Sequence, residues 1–213
     1  MTNFSPNKNL SAEPFLVSRQ QKEALNGQRA FVVWLTGLSG AGKSTIARNL
    51  EVSLFNVGIR TLILDGDNTR MSINRDLDFS PVGRQENIRR VAEMAKLLND
   101  AGVVVITAFI SPFKADREIA KSIIGDDCFV EVFVDSPLDV CMKRDTKGLY
   151  RKALNGELKD FTGISSPYEA PESHCMAVKT AMQNLEESVE SILAGLVKNR
   201  LIKVQSKHLI NLR

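Results

Sequence analysis

Five apolar residues in succession, Phe31, Val32, Val33, Trp34 and Leu35, mark the first ordered-looking stretch of this 213-residue chain. A run rich in β-formers and free of polar interruptions predicts a strand buried on both faces. The pattern then changes period. Ile46, Leu50 and Leu54 recur at helical spacing and predict a helix over 44–55 that Gly58 stops. A second strand is expected over 61–64, ending at Asp65, followed by a polar stretch. Ile88, Val91, Met94, Ala95 and Leu98 then mark the inner face of a long helix over 84–100, with Gly102 as its stop signal. Residues 103–106 read as another double-sided strand, 114–124 as a helix, 129–134 as a strand, and Pro137 as the first turn of a further helix. The region 147–172 mixes Gly, Lys, Pro and Tyr and reads as a mobile loop or lid. Leu185, Val189, Ile192, Leu193 and Leu196 define a closing amphipathic helix over 180–200, while residues 15–30 read only as a mostly polar lead-in. Strands alternating with helices predict an α/β fold with a mostly parallel sheet covered on both faces.

Composition narrows the class. With 43% hydrophobic and 25% charged residues the chain is ordinary globular protein, and 213 residues favour one domain. That domain is expected over 15–213, with 1–14 a flexible N-terminal segment: it is polar, carries two prolines, and lacks the apolar core of a signal peptide. A net charge of +3 without a concentrated basic stripe argues against a nucleic-acid partner. No apolar run reaches the roughly 18 residues a membrane-spanning helix needs, so no membrane partner is expected. Cys128, Cys141 and Cys175 are odd in number and lack metal-ligand spacing. They suit a cytoplasmic location, with Cys128 and Cys141 as buried fillers.

The first candidate chemistry lies between the first strand and its helix. Gly37-Leu38-Ser39-Gly40-Ala41-Gly42-Lys43-Ser44, continued by Thr45, fits G-x-x-x-x-G-K-[ST]. Glycines allow backbone conformations that point successive N–H groups at an anion, and the helix adds the positive end of its dipole. Lys43 is expected at the β- and γ-phosphates, and the Ser44 hydroxyl on Mg²⁺. A buried strand before the loop and a helix after it supply the context the motif requires. The reading is strong for a nucleoside triphosphate and silent on the acceptor.

The acceptor side is less determined. Asp65 and Asp67 end the second strand, beside the crevice of a parallel sheet, and suit metal or proton chemistry. Asp-Gly-Asp-Asn is equally good turn chemistry, but its position favours function, with Asp67 the stronger candidate. Arg70, Arg84, Arg89 and Arg90 form a basic run that also fits a solvated helix face. Arg84 and Asn87 share a face at a helix start, where an anion gains from the dipole. Phe79 fits either a stacking platform or a core plug, Ser111 either a ligand contact or a turn before Pro112, and Lys147, Arg151 and Lys152 either a closing lid or a solvated loop.

In order, the stretches FVVWLTGLSGAGKSTIARNL, LDGDNTR, NRDLDFS, ENIRRVAEMAKLLNDAGVVVITAFISPF, EVFVDSPLDVC, KGLYRKALNGELKDFTGI and YEAPES resemble one family closely, the adenylylsulfate kinases. They run from about Phe31 to Ser173, and VSRQQKEALNGQ before them also looks familial. The resemblance implies a P-loop kinase three-layer sandwich with a lid region. It also implies Mg-ATP as donor, with transfer of the γ-phosphoryl to the ribose 3′-hydroxyl of adenylyl sulfate. By matched position, Gly37 to Thr45 would cradle ATP. Asp67, Asn68, Arg70, Phe79, Arg84, Asn87, Ile110, Ser111, Lys147 and Phe161 would line the acceptor site. Arg70 and Arg84 would neutralise the phosphosulfate, Phe79 and Phe161 would sandwich the adenine, and Asp67 would position the 3′-hydroxyl or the metal. Ser111 matches a serine for which a phosphoserine intermediate has been proposed, and direct attack with Ser111 as a contact is the reading preferred here. Relatives are often dimers, and a sulfurylase is a conceivable partner for supplying the substrate. The chain departs from the family pattern at Asp78, where glycine is usual, and at Gly83 and Ser165, where aspartate is usual; His174-Cys175 also differs. Asp78 is expected to trouble acceptor binding, and Gly83 to loosen the start of the 84–100 helix.

Overall fold

The computed structural model describes residues 13, 15–172 and 175–202. Five strands form one all-parallel sheet in the order β2-β3-β1-β4-β5. They are β1 (Val32–Thr36), β2 (Thr61–Asp65), β3 (Val104–Ala108), β4 (Phe129–Asp135) and β5 (Met176–Lys179). The hydrophobic runs explain the order. β1 and β3 are buried at every position and occupy the interior, whereas β2 is only partly covered and lies at an edge.

Side chains alternate across β1 to two cores. Val33 and Leu35 face a layer built on α2 (Lys43–Asn56) and α8 (Leu185–Lys198), with Ile46, Leu50, Ile192 and Leu196 among its members. Val32 and Trp34 face α4 (Pro81–Asp100) and α5 (Lys114–Ile124), where Ile88, Val91, Ala95 and Ala120 close the other core. Helix, sheet and helix thus form the expected three layers. Because all strands are parallel, their carboxyl ends share one edge, and the loops leaving β1, β2 and β3 meet there.

Several expectations change. The long helix starts at Pro81: Ser80 caps it by accepting from the Gly83 N–H at 3.1 Å, with proline in the first turn. Gly83 therefore sits inside an anchored helix start, not a loosened one. The lead-in contains α1 (Arg19–Asn26), closed by a reciprocal capping box between Ser18 and Gln21. This helix buries no residue and docks by polar contacts, Lys22 donating to the Asp100 carbonyl at 3.1 Å, which is why apolar periodicity missed it.

The region 147–172 is not simply a mobile loop. It holds α7 (Leu149–Leu154), and Tyr150, Phe161 and Thr162 are buried. Residues 66–71 form α3 (Gly66–Met71), and α6 (Leu138–Arg144) follows Pro137 as expected. The closing helix begins at Leu185 and not at 180, because Asn184 and Glu187 form a capping box and β5 takes up the preceding chain. Cys128 and Cys141 are buried free thiols, as expected. The segment 1–14 lies outside the described residues apart from Glu13, as does His174. Among the described residues no helix is long and apolar enough to cross a membrane.

Leu50 is fully buried at the centre of the α2 layer. Leu50→Ala is expected to lower unfolding free energy by about 2–5 kcal/mol, through lost transfer energy and the cavity left behind. Urea denaturation followed by circular dichroism checks this; a loss under about 1 kcal/mol would show that the layer refills the cavity.

Candidate active site

The phosphate loop hangs between two fixed ends. Gly37 leaves β1 at φ 150°, and its missing side chain matters: a Cβ there would lie 2.5 Å from the Val134 carbonyl oxygen on β4. Gly42 closes the loop at φ 106° as the N-cap of α2, with no side chain capping the helix. The first N–H groups of α2 therefore point into the loop without a side-chain partner, the arrangement that suits a phosphate.

Lys43 is 8% exposed. Its Nζ donates to the carbonyls of Gly37 at 2.8 Å and Leu38 at 2.7 Å. Burial pulls its pKa down to about 8, partly offset by the nearby Cys141 and Asp65. Neighbouring elements clamp the loop from outside. Tyr150 Oη donates to the Ser39 carbonyl at 2.9 Å, and Thr180 Oγ1 to the Ala41 carbonyl at 2.9 Å. The Thr180 hydroxyl in turn accepts from Arg144 at 3.1 Å. The 147–154 segment is thus tied to the phosphate loop.

Ser44 Oγ donates to Asp65 Oδ2 at 2.6 Å. The sequence motif identifies Ser44; the carboxylate it meets is Asp65, which also accepts from the Asp67 N–H at 3.0 Å as cap of α3. A hydroxyl and a carboxylate oxygen in contact, beside a phosphate loop, are a hard-oxygen pair that fits Mg²⁺. Among the described residues no group of three or more His, Cys, Asp or Glu side chains is placed to hold a metal. Asp67 points elsewhere: its carboxylate meets the Lys147 ammonium.

On the far side of the crevice, Arg70 and Arg84 converge on one turn. Arg70 Nη1 donates to the carbonyls of Leu77 at 3.1 Å and Asp78 at 3.0 Å, and its guanidinium lies 4.3 Å from the centroid of the Phe79 ring. Arg84 donates to the Phe79 carbonyl at 2.8 Å, to Thr162 Oγ1 at 3.1 Å and to the Asp160 carbonyl at 2.8 Å. Burial lowers the pKa of both, and for Arg70 the positive charge of Arg84 adds to it. Two half-buried cations close enough to repel suit an anion.

Phe79 is 65% exposed and so is not a core plug. Phe161 is buried and packs edge-on against Tyr150 at 5.1 Å. Asn87 is buried and accepts from Asn74 at 3.0 Å. Arg89 and Arg90 turn away from this cluster into exposed ion pairs with Glu86, Glu93 and Asp76, the solvated-face outcome. Arg151 and Lys152 lie exposed on α7, and Asn68 on α3.

Ser111 joins the halves. It is 2% exposed at φ 36°, a left-handed conformation rare for serine. Its Oγ accepts from the Trp34 indole N–H at 3.1 Å, and its carbonyl accepts from Arg117 at 2.8 Å. Arg117, itself buried, also pairs with Glu131 at 2.7 Å and donates to the Glu169 carbonyl at 2.8 Å. Gly37 N–H and Thr36 Oγ1 both donate to the Ile110 carbonyl, at 3.4 and 2.8 Å. Sequence reasoning missed Asp65 as the Ser44 partner, and missed Tyr150, Arg117 and Thr180 entirely. For Asp65 a signal existed in its place at the end of β2; the others act through backbone carbonyls, which leave no motif.

A buried strand, a glycine loop, an uncapped helix start and a Ser–Asp oxygen pair, on a parallel sheet of this order, define a P-loop kinase. The family is narrower. The adenylylsulphate kinase family model matches residues 29–179, and the chain belongs to that family. It is 49% identical over 187 residues to the adenylyl-sulfate kinase of Prochlorococcus marinus, covering 88% of this chain and 93% of that protein. It is 51% identical over 185 residues to the adenylyl-sulfate kinase of Clostridium kluyveri, covering 87% and 92%. Among solved structures, the Mycobacterium tuberculosis APS kinase in complex with AMPPNP and APS is 42% identical, with a TM-score of 0.77 over 80% of this chain and 99% of that one.

The lowered Lys43 pKa has a measurable consequence. Protonated Lys43 favours a bound triphosphate, so ATP affinity is expected to fall as pH rises through about 8, by up to about tenfold per unit. Calorimetric titration between pH 7 and 9 should also register proton uptake on binding; a flat profile identical to that of Lys43→Ala would contradict this role.

Proposed function

We propose that the protein phosphorylates the ribose 3′-hydroxyl of adenylyl sulfate with ATP, giving 3′-phosphoadenylyl sulfate and ADP. One observation carries the reading: the phosphate loop with its Ser44–Asp65 pair, and the Arg70–Arg84 pair on the 77–80 turn, stand at the same carboxyl edge of the sheet in a chain of the adenylylsulfate kinase family. The solved relative bound to AMPPNP and APS supports the same pair of ligands.

In this reading Gly37 to Thr45 hold the triphosphate through backbone N–H groups, and Lys43 leaves its two carbonyls for the β- and γ-phosphates. Ser44 and Asp65 hold Mg²⁺, which neutralises charge on the phosphate oxygens when bound. Arg70 and Arg84 receive the phosphosulfate, Phe79 carries the adenine on its open face with Phe161 near its opposite side, and Asn68, Asn87, Ile110 and Lys147 complete the acceptor wall. Asp67 exchanges its contact with Lys147 for the 3′-hydroxyl, orients it and takes its proton. The oxygen–phosphorus bond to the β-phosphate breaks as the bond to the 3′-oxygen forms, and ADP leaves. In this reading transfer is direct, and the burial of Ser111 with its Oγ accepting from the Trp34 indole supports a contact role for it. Its part is to set the loop after β3.

The test is release of ADP by the full chain with Mg-ATP, with and without adenylyl sulfate. Acceptor-dependent release is expected; none above the no-acceptor rate would overturn the reading. Lys43→Ala should abolish turnover. Arg84→Ala should raise the acceptor KM by about 10–100-fold and leave the ATP KM within about twofold. Unchanged acceptor kinetics would remove Arg84 from the phosphosulfate site.

A further inference from the structure

Asp78 and Gly83, at the turn that holds Arg70 and Arg84, are in contact. A Cβ at 83 would collide with the Asp78 carboxylate and lie 2.7 Å from the Asp78 carbonyl oxygen. Only glycine leaves that space open. Asp78 Oδ1 fills it, accepting from the Ser80 N–H at 3.1 Å and the Ser80 hydroxyl at 2.6 Å. Ser80 Oγ in turn accepts from the Gly83 N–H, so carboxylate, hydroxyl and helix start form one chain of hydrogen bonds. The first turn of α4 has no acidic residue of its own, so this carboxylate supplies the negative charge that a helix N-terminus favours.

The turn held in this way is the one both arginines use. Arg70 is fixed by the carbonyls of Leu77 and Asp78, Arg84 by that of Phe79, and Phe79 projects from its middle under the Arg70 guanidinium. Oδ1 is committed to Ser80, and the charge of the carboxylate also acts on the neighbouring Arg70.

We propose that Asp78 and Gly83 work as one positioning device: the carboxylate, lodged in space that glycine at 83 leaves free, locks the 77–80 turn so that its carbonyls aim Arg70 and Arg84 at the acceptor. The site this device serves is the one assigned under the proposed function, and its readout in kinetics rests on that reading. Neither residue touches substrate. Aspartate at 78 therefore sustains acceptor binding instead of impairing it.

The experiment uses the full chain and four variants: Asp78→Ala, Asp78→Asn, Gly83→Ala and the double Asp78→Ala/Gly83→Ala. Asp78→Ala is expected to raise the KM for adenylyl sulfate about tenfold, with kcat and the ATP KM within about twofold. Asp78→Asn keeps an oxygen that accepts from Ser80 and should stay within about threefold of the parent. Gly83→Ala should cost about as much as Asp78→Ala, and the double little more than either, since without the carboxylate the turn is no longer tied to Ser80 and its carbonyl at 78 can move off the new Cβ. Additive losses, a matching rise in the ATP KM, or an Asp78→Asn loss equal to that of Asp78→Ala would overturn the device. Melting temperatures of the same proteins read the coupling without substrate. Sub-additive losses support the pair even if adenylyl sulfate proves not to be the acceptor, and additive ones overturn it.

Discussion

Everything at the catalytic edge depends on the burial of β1. Its five residues are shielded on both faces by two separate cores and on both sides by parallel neighbours, β3 and β4. A strand held from four directions cannot tilt or slide, so the loop that leaves it at Gly37 starts from a fixed point. The same packing passes order outward. Val134 on β4 leaves room only for glycine at 37, and Trp34, pointing into the opposite core, reaches across to the hydroxyl of Ser111. Parallel pairing then brings the ends of β2, β1 and β3 to one edge, so Asp65, Gly37 and Ile110 become neighbours though they lie far apart in the chain.

Donor and acceptor halves are built from different physics. The donor half is mostly backbone: N–H groups at the start of α2, with Tyr150 and Thr180 gripping the carbonyls of Ser39 and Ala41. The half proposed for the acceptor is mostly guanidinium, held by carbonyls of the 77–80 turn. Arg117 bridges β4, the Ser111 loop and the segment at Glu169 while nearly buried itself. Removing it would leave Glu131 and two carbonyls without their cation, which is the costly way to break such a group. Phosphoryl transfer asks chiefly for this kind of placement and charge, with little covalent work from the protein.

The sequence carried what side-chain period can carry. Unbroken apolar runs at 31–35 and 103–106 disclosed the inner strands, and the 3.6 period disclosed α2 and α4. It was silent where structure is held by polar contacts. α1 buries nothing, α3 is a single short stretch after a strand, and β5 is four residues at an edge with only Val178 fully buried. The loop from Gly37 was legible because its chemistry needs particular residue types at fixed spacing. Asp65 was half-legible, as one of two carboxylates in the right place. The left-handed Ser111 and the fit of Asp78 to Gly83 were not, because they depend on which atoms meet after folding.

In the proposed reaction the phosphoryl group passes directly from ATP to the acceptor, with Ser111 taking no part as a nucleophile. A single-turnover reaction with γ-labelled ATP, adenylyl sulfate and excess protein, quenched along its course, tests it most directly. Label passing from ATP to the nucleotide product with no labelled protein at any time is the predicted result. Label that appears first on the protein, at Ser111, and then chases into product would contradict it.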